Sequence, residues 1–78
     1  MFLHIGADYS VPVKDIALIL DCEANMPEST RKTLDSKKSA DAGGIRRSAV
    51  VTADTVYYSP IANQTLGKRM RILALYLR

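Results

Sequence analysis

The feature that most constrains this chain is a pair of strand-like runs only three residues apart. Ser48-Ala49-Val50-Val51-Thr52 is followed by Ala53-Asp54-Thr55 and then by Val56-Tyr57-Tyr58-Ser59, and Pro60 stops the pattern. Small, β-branched and aromatic side chains suit a pleated, packed surface, and two such runs around a short polar connection read as a β-hairpin. Val50, Thr52, Val56 and Tyr58 are expected to share one face, with Ala49, Val51 and Tyr57 on the other. Immediately upstream lies Gly43-Gly44-Ile45-Arg46-Arg47. The spacing predicts a loose glycine hinge that delivers two adjacent guanidinium groups to the edge of a rigid sheet.

The rest of the chain supplies elements to cover that hairpin. Phe2, Leu3 and Ile5 form a first strand closed by Gly6 and Asp8. Tyr9, Val11 and Val13 alternate with Ser10 and Pro12 as a second strand, placed at an edge because proline cannot donate to a ladder. After a tight turn at Lys14-Asp15, the continuous apolar run Ile16–Leu20 is expected as the buried central strand, a short helix being the alternative. Pro27 and Glu28 suit a first helical turn, with Asn25 or Met26 near the cap, and the helix is expected to run on through Ser29 to Lys38. Leu34 is its one strong anchor. Residues 39–44 read as the flexible linker. A last helix, capped by Asn63 or Ser59, is expected to reach Leu77, with Leu66, Met70, Leu73 and Leu77 on one buried face.

The expected fold is therefore α+β, in the order β-β-β-α-β-β-α, with a small mixed or antiparallel sheet of about five short strands and two helices. With 78 residues the chain is one domain, 1–78. A chain this short buries only about 60% of its unfolded surface, so its core is thin. Cys22 is the single cysteine, so no disulfide supports the fold. A lone cysteine and the absence of a signal peptide point to a reducing, cytoplasmic setting. No apolar run approaches the ~20 residues that cross a bilayer.

Catalytic chemistry lacks its parts. His4 is the single histidine and sits in a predicted strand, where a structural role is expected, and Cys22 reads as a small buried thiol. Together they fall short of a zinc site. The carboxylates are scattered, and Gly43-Gly44 has neither of the phosphate-cradling glycine patterns. The expectation is no enzyme, no metal and no cofactor.

The charge is informative instead. Residues 1–28 carry five acids against Lys14, a net of −4, whereas residues 29–78 carry ten bases against three acids, a net of +7. Such a split suggests one face for a polyanion. Arginine presents a planar fork of donors matched to phosphate oxygens. Arg46 and Arg47 are the expected main contacts to double-stranded DNA, supported by Lys37, Lys38, Arg31 and Lys32. The alternative for the pair is a surface bridge to nearby acids such as Asp41 or Asp54, and Lys37 and Lys38 also suit a helix C-terminus. Single-stranded RNA would need an exposed tyrosine beside the arginines, and Tyr57 and Tyr58 point to opposite faces. Beyond Arg71 the last helix is apolar nearly all round. Residues 71–78, with Leu73, Leu75, Tyr76 and Leu77, are expected to form an interface between copies of the chain, or else a frayed end.

The segments Phe2-Leu3-His4-Ile5-Gly6-Ala7-Asp8, Lys14-Asp15-Ile16, Asn25-Met26-Pro27, Arg47–Thr52 and Val56–Pro60 occur in an order that resembles the Rem family of biofilm-matrix regulators. Tyr57-Tyr58-Ser59-Pro60 and Thr65-Leu66 with Lys68-Arg69 bring the chain closest to its RemB-like members. The resemblance implies a small α+β DNA-binding protein that assembles into a ring-shaped homo-oligomer and regulates transcription of extracellular-matrix genes. It places the family's arginine loop on Arg46 and Arg47 and a functionally important proline on Pro27. RemA-like members carry an arginine in the turn before the third strand, where this chain has Asp15. A nucleoid-associated, cytoplasmic regulator is the expectation. The rival class is an oligomeric protein–protein adaptor without DNA binding.

Overall fold

The computed structural model describes residues 1–76, with the side chains of Ala74 and Tyr76 excepted. Six strands and two helices follow in the order β1 (Phe2–Gly6), β2 (Tyr9–Pro12), β3 (Leu18–Asp21), α1 (Glu28–Asp35), β4 (Lys38–Asp41), β5 (Ser48–Val51), β6 (Thr55–Ser59) and α2 (Asn63–Tyr76), with a short 3-10 turn at Val13–Asp15. The class is α+β, as expected. The strands divide between two sheets, an antiparallel hairpin β1-β2 and a four-stranded sheet of order β3-β5-β6-β4.

The β5-β6 hairpin is the centre of the larger sheet and is buried on both faces. Val50 and Tyr57 pack under the β1-β2 hairpin and α2, with Leu3, Ile5, Val11 and Leu66. Ala49, Val51, Val56 and Tyr58 pack under α1 with its anchor Leu34. The hairpin register pairs Val50 with Tyr57 and Ala49 with Tyr58. That is one residue away from the expected faces: Val56 and Tyr58 lie with Ala49 and Val51, not with Val50. A one-residue slip moves every side chain of a strand to the other face. Here the turn sets it, because Thr52 Oγ1 accepts from the Thr55 N–H (3.1 Å) and donates to its carbonyl (2.9 Å).

Three further expectations are corrected. β3 is an edge strand and not the central one; Leu18 is 46% exposed and Ile19 and Leu20 are half-buried. Its apolar run is spent on both faces of an edge, while the smaller residues of β5 take the crowded centre. Residues 38–41 are not linker or helix end but β4, paired in parallel with β6. The backbone ladder supports this polar stretch, whose side chains an edge position leaves in water. Helix α1 accordingly stops at Asp35 and begins after Pro27, whose position at the cap provides no side-chain hydrogen bond.

The glycine hinge is half rigid. A Cβ on Gly43 would lie 2.8 Å from Pro60 Cγ, so the bare backbone is a packing requirement, whereas Gly44 has open space around it. Gly6 adopts φ 125° with Ala42 O and Pro60 Cδ each 3.1 Å from where a Cβ would sit. In α2, Leu66 is fully buried and Met70 and Leu73 pack on the same core. Leu73 is half-buried and also borders a surface cleft with Phe2 and Ile72. Leu77 lies outside the described residues. Among the described residues no helix is long and apolar enough to cross a membrane.

Leu66→Ala is expected to lower stability by about 2–5 kcal/mol, the range for emptying a buried leucine site. Gly6→Ala is expected to cost about 1–3 kcal/mol through backbone strain. Urea unfolding followed by circular dichroism measures both.

Candidate nucleic-acid interface

The arginine loop is placed by the serine pair at the open end of the hairpin. Ser48 and Ser59 face each other in register and both are fully buried. Ser48 Oγ donates to the Ile61 carbonyl (2.7 Å), and Ser59 Oγ donates to the Ile5 carbonyl (2.6 Å) while accepting from the Ile61 N–H (3.0 Å). Buried hydroxyls persist only when so satisfied. They tie the hairpin to β1 and to the start of α2. The next residue outward, Arg47, has its own backbone clamped: its N–H donates to Ser59 O (2.9 Å) and its carbonyl accepts from the Cys22 N–H (3.0 Å). The loop's end is thus fixed, and the two side chains leave from a rigid platform.

Both guanidinium groups are exposed and each meets one acid. Arg46 Nε and Nη2 donate to the two oxygens of Asp41 at 2.8 and 3.1 Å. Its guanidinium carbon stands 4.0 Å from the centre of the Tyr58 ring, a cation–π contact. Arg47 Nε donates to Glu23 Oε1 at 3.1 Å. The bridge to Asp41 weighed from the sequence is therefore present; the second acid is Glu23 and not Asp54. These side chains are about half exposed. Such pairs contribute little, and a competing anion displaces them at small cost. Arg46 uses two donors on Asp41 and Arg47 one on Glu23, so most of each fork remains available.

The hydrogen bond from Arg46 holds the Asp41 carboxyl below the usual carboxylate range, and the same bond raises Arg46. Burial lifts the Tyr58 hydroxyl, and burial, then Asp21, lifts the Cys22 thiol. A thiol raised in this way stays protonated and unreactive. Tyr58 does stand beside the arginines, but at 9% exposure under Arg46 it provides no stacking platform for a base. His4 Nε2 lies 3.0 Å from the Ala7 carbonyl and serves the turn after β1. Among the described residues no group of three or more His, Cys, Asp or Glu is placed to hold a metal ion.

The supporting bases separate into two groups. Arg31 joins Arg46, Cys22, Met26, Asp35 and Tyr58 around a cleft of about 250 Å³ between α1 and the loop, and Lys32 follows it on the exposed side of α1. Lys37 and Lys38 lie elsewhere. Lys37 Nζ donates to the Ala53 carbonyl (2.6 Å), and Lys38 pairs with Thr55 at the hairpin turn. That is the opposite end of β6 from Arg47, about 13 Å away at ~3.3 Å per residue. Asp15 is also at the turn end, beside Thr52, Ala53 and Asp54. Asp15 therefore lies away from the Arg46–Arg47 pair. Sequence reasoning missed Glu23 and the serine pair. Glu23 joins the site only because β3 pairs with β5, a contact across 24 residues of sequence.

A family profile described as RemA-like, extracellular matrix regulatory protein A-like, matches residues 2–70. The chain belongs to this family. It is also 36% identical over 76 residues, covering 94% of each chain, to extracellular matrix regulatory protein B of Bacillus subtilis (strain 168). Both descriptions are of regulators and not of enzymes. The match spans the whole hairpin, the arginine loop and most of α2.

The Asp41 pair gives a pH dependence of definite sign. A carboxyl whose folded pKa is depressed stabilises the fold above its unfolded pKa, and the contribution is lost as pH falls through the lower, folded value. Wild type and Asp41→Asn should therefore differ at neutral pH and converge below the usual carboxylate range. Following the Asp41 carboxyl by NMR, Arg46→Ala should return its titration to that range.

Proposed function

We propose that this protein regulates extracellular-matrix genes by gripping duplex DNA through Arg46 and Arg47, repeated around a homo-oligomer. The observation that carries this reading is the pair of adjacent, exposed guanidinium groups held at the fixed end of a hairpin covered on both faces. Positioning a planar donor fork on a rigid element reduces the ordering cost of each phosphate contact. The acids that hold the two side chains act as placeholders that phosphate oxygens replace. Arg31 and Lys32 extend the same end along α1. Lys37 and Lys38, at the turn end, reach a second stretch of backbone or a neighbouring copy's DNA segment. Support comes also from the family description and from the matrix-regulator name of the Bacillus subtilis relative.

Contacts of this kind position a protein without reading bases, so selectivity rests on DNA shape and deformability. Few contacts per chain make single-copy binding weak, and repetition around an assembly raises it through effective concentration.

The test is mobility of a duplex fragment across a salt series, with mass in solution measured in the same buffers. Wild type should shift the fragment as a multimer, with a shift that fades steeply with salt. Arg46→Ala/Arg47→Ala should weaken binding to every sequence and flatten the log–log salt slope by roughly 0.9 per lost phosphate contact. Unchanged affinity in that double variant overturns the role of the loop. A wild-type multimer that shifts no DNA at low salt replaces this reading with the protein adaptor.

A further inference from the structure

Arg31 and Asp35 stand one turn apart on α1, with a rise of about 6 Å between them, and both line the cleft under the arginine loop. Their charges are opposite, yet they do not pair. Among the described residues the ion pairs are Arg46–Asp41 and Arg47–Glu23. A base followed by an acid is the weaker order for a helical pair, and Asp35 also ends α1 at the negative pole of its dipole. An unpaired cation and an unpaired anion therefore share one opening. Arg46, from the loop, adds a second fork whose Nη1 is not used on Asp41.

The remaining lining is mostly apolar. Leu34 and Tyr58 are buried, Met26 and Cys22 half-buried. The cleft's volume of about 250 Å³ lies below the roughly 300–1,000 Å³ of clefts that take drug-sized ligands. Its occupant is therefore a small molecule. Arg31 and Arg46 call for an anionic group, Asp35 for a cationic donor near it, and Met26 and Leu34 for an apolar body. A carboxylate suits the guanidinium forks, and an ammonium suits the aspartate. A purely anionic ligand leaves Asp35 without a partner, and a duplex phosphate brings no cation to it. A free α-amino acid with an apolar side chain carries all three groups within a few atoms.

We propose that the cleft between α1 and the arginine loop binds an apolar α-amino acid. Its carboxylate lies on Arg31 and Arg46, its ammonium on Asp35, and its side chain against Met26 and Leu34. A bound carboxylate draws Arg46 away from phosphate, so amino acid and DNA oppose each other, by the same factor in either direction. That consequence rests on the reading that Arg46 grips DNA, whereas the binding of the amino acid does not.

The test is an NMR titration of the isotope-labelled full chain at low salt, without DNA, using L-leucine, L-methionine and L-phenylalanine. The amide signals of Cys22, Arg31, Asp35 and Arg46 should move and saturate with at least one of the three. The amide of the tightest binder lacks the carboxylate, and its N-acetyl form lacks the ammonium. Each should bind about tenfold more weakly or worse, the loss that follows from one charged hydrogen bond. Asp35→Asn, a change at an exposed position, should lose as much while melting like wild type by circular dichroism. No saturable movement up to millimolar amino acid overturns the site. An N-acetyl form that binds as tightly as the parent overturns the role of Asp35 and the amino-acid assignment with it. DNA mobility is read separately. A fragment shift that fades as amino acid is added supports competition for Arg46, and one that persists at saturation overturns the competition while leaving the site standing. A wild type that shifts no DNA overturns the arginine-loop reading alone.

Discussion

The structure depends on burying one hairpin from both sides. Ala49, Val50 and Val56 have no exposure, nor do Ser48 and Ser59 at its open end. A two-stranded ribbon is marginal by itself in water. This one is supported by α1 on one face and by the β1-β2 hairpin with α2 on the other. The serine hydroxyls then fasten β5-β6 to β1 and to the start of α2, so the layers hold each other at the place where Arg47 emerges.

That arrangement explains why the candidate site is rigid on one side and yielding on the other. The backbone of Arg47 is bonded to Ser59 of β6 and to Cys22 just after β3, and Gly43 is packed against Pro60. Around Gly44 there is open space. The guanidinium groups are positioned by weak, solvent-exposed ion pairs, strong enough to orient a side chain and easily exchanged for another anion. Burial stabilises the platform, and exposure leaves its chemistry available.

Much of the fold was legible in local pattern. The hairpin, Leu34 as the anchor of α1, the first two strands, and Leu66, Met70 and Leu73 on the inner face of α2 follow from spacing alone. What was not legible has a common cause. β4 is polar, and its pairing is decided by the free edge of β6, which its own residues do not announce. The Ile16–Leu20 run looks central because it is apolar, yet the centre of the sheet went to residues small enough to pack on both faces. The faces of β6 turned over because the Thr52–Thr55 turn set the register, a matter of single hydrogen bonds.

For the site, the residues themselves determined that an arginine pair follows two glycines and enters a strand, and that bases dominate the second part of the chain. Local composition is enough for that, because charge and chain stiffness belong to each residue. Which bases stand together was decided by tertiary structure alone. Arg31 comes to Arg46 across the cleft under α1, while Lys37 and Lys38 go to the far end of β6. Glu23 reaches Arg47 because two strands distant in sequence pair. Such neighbours are set by the closing of long loops around a core, and no spacing along the chain records it.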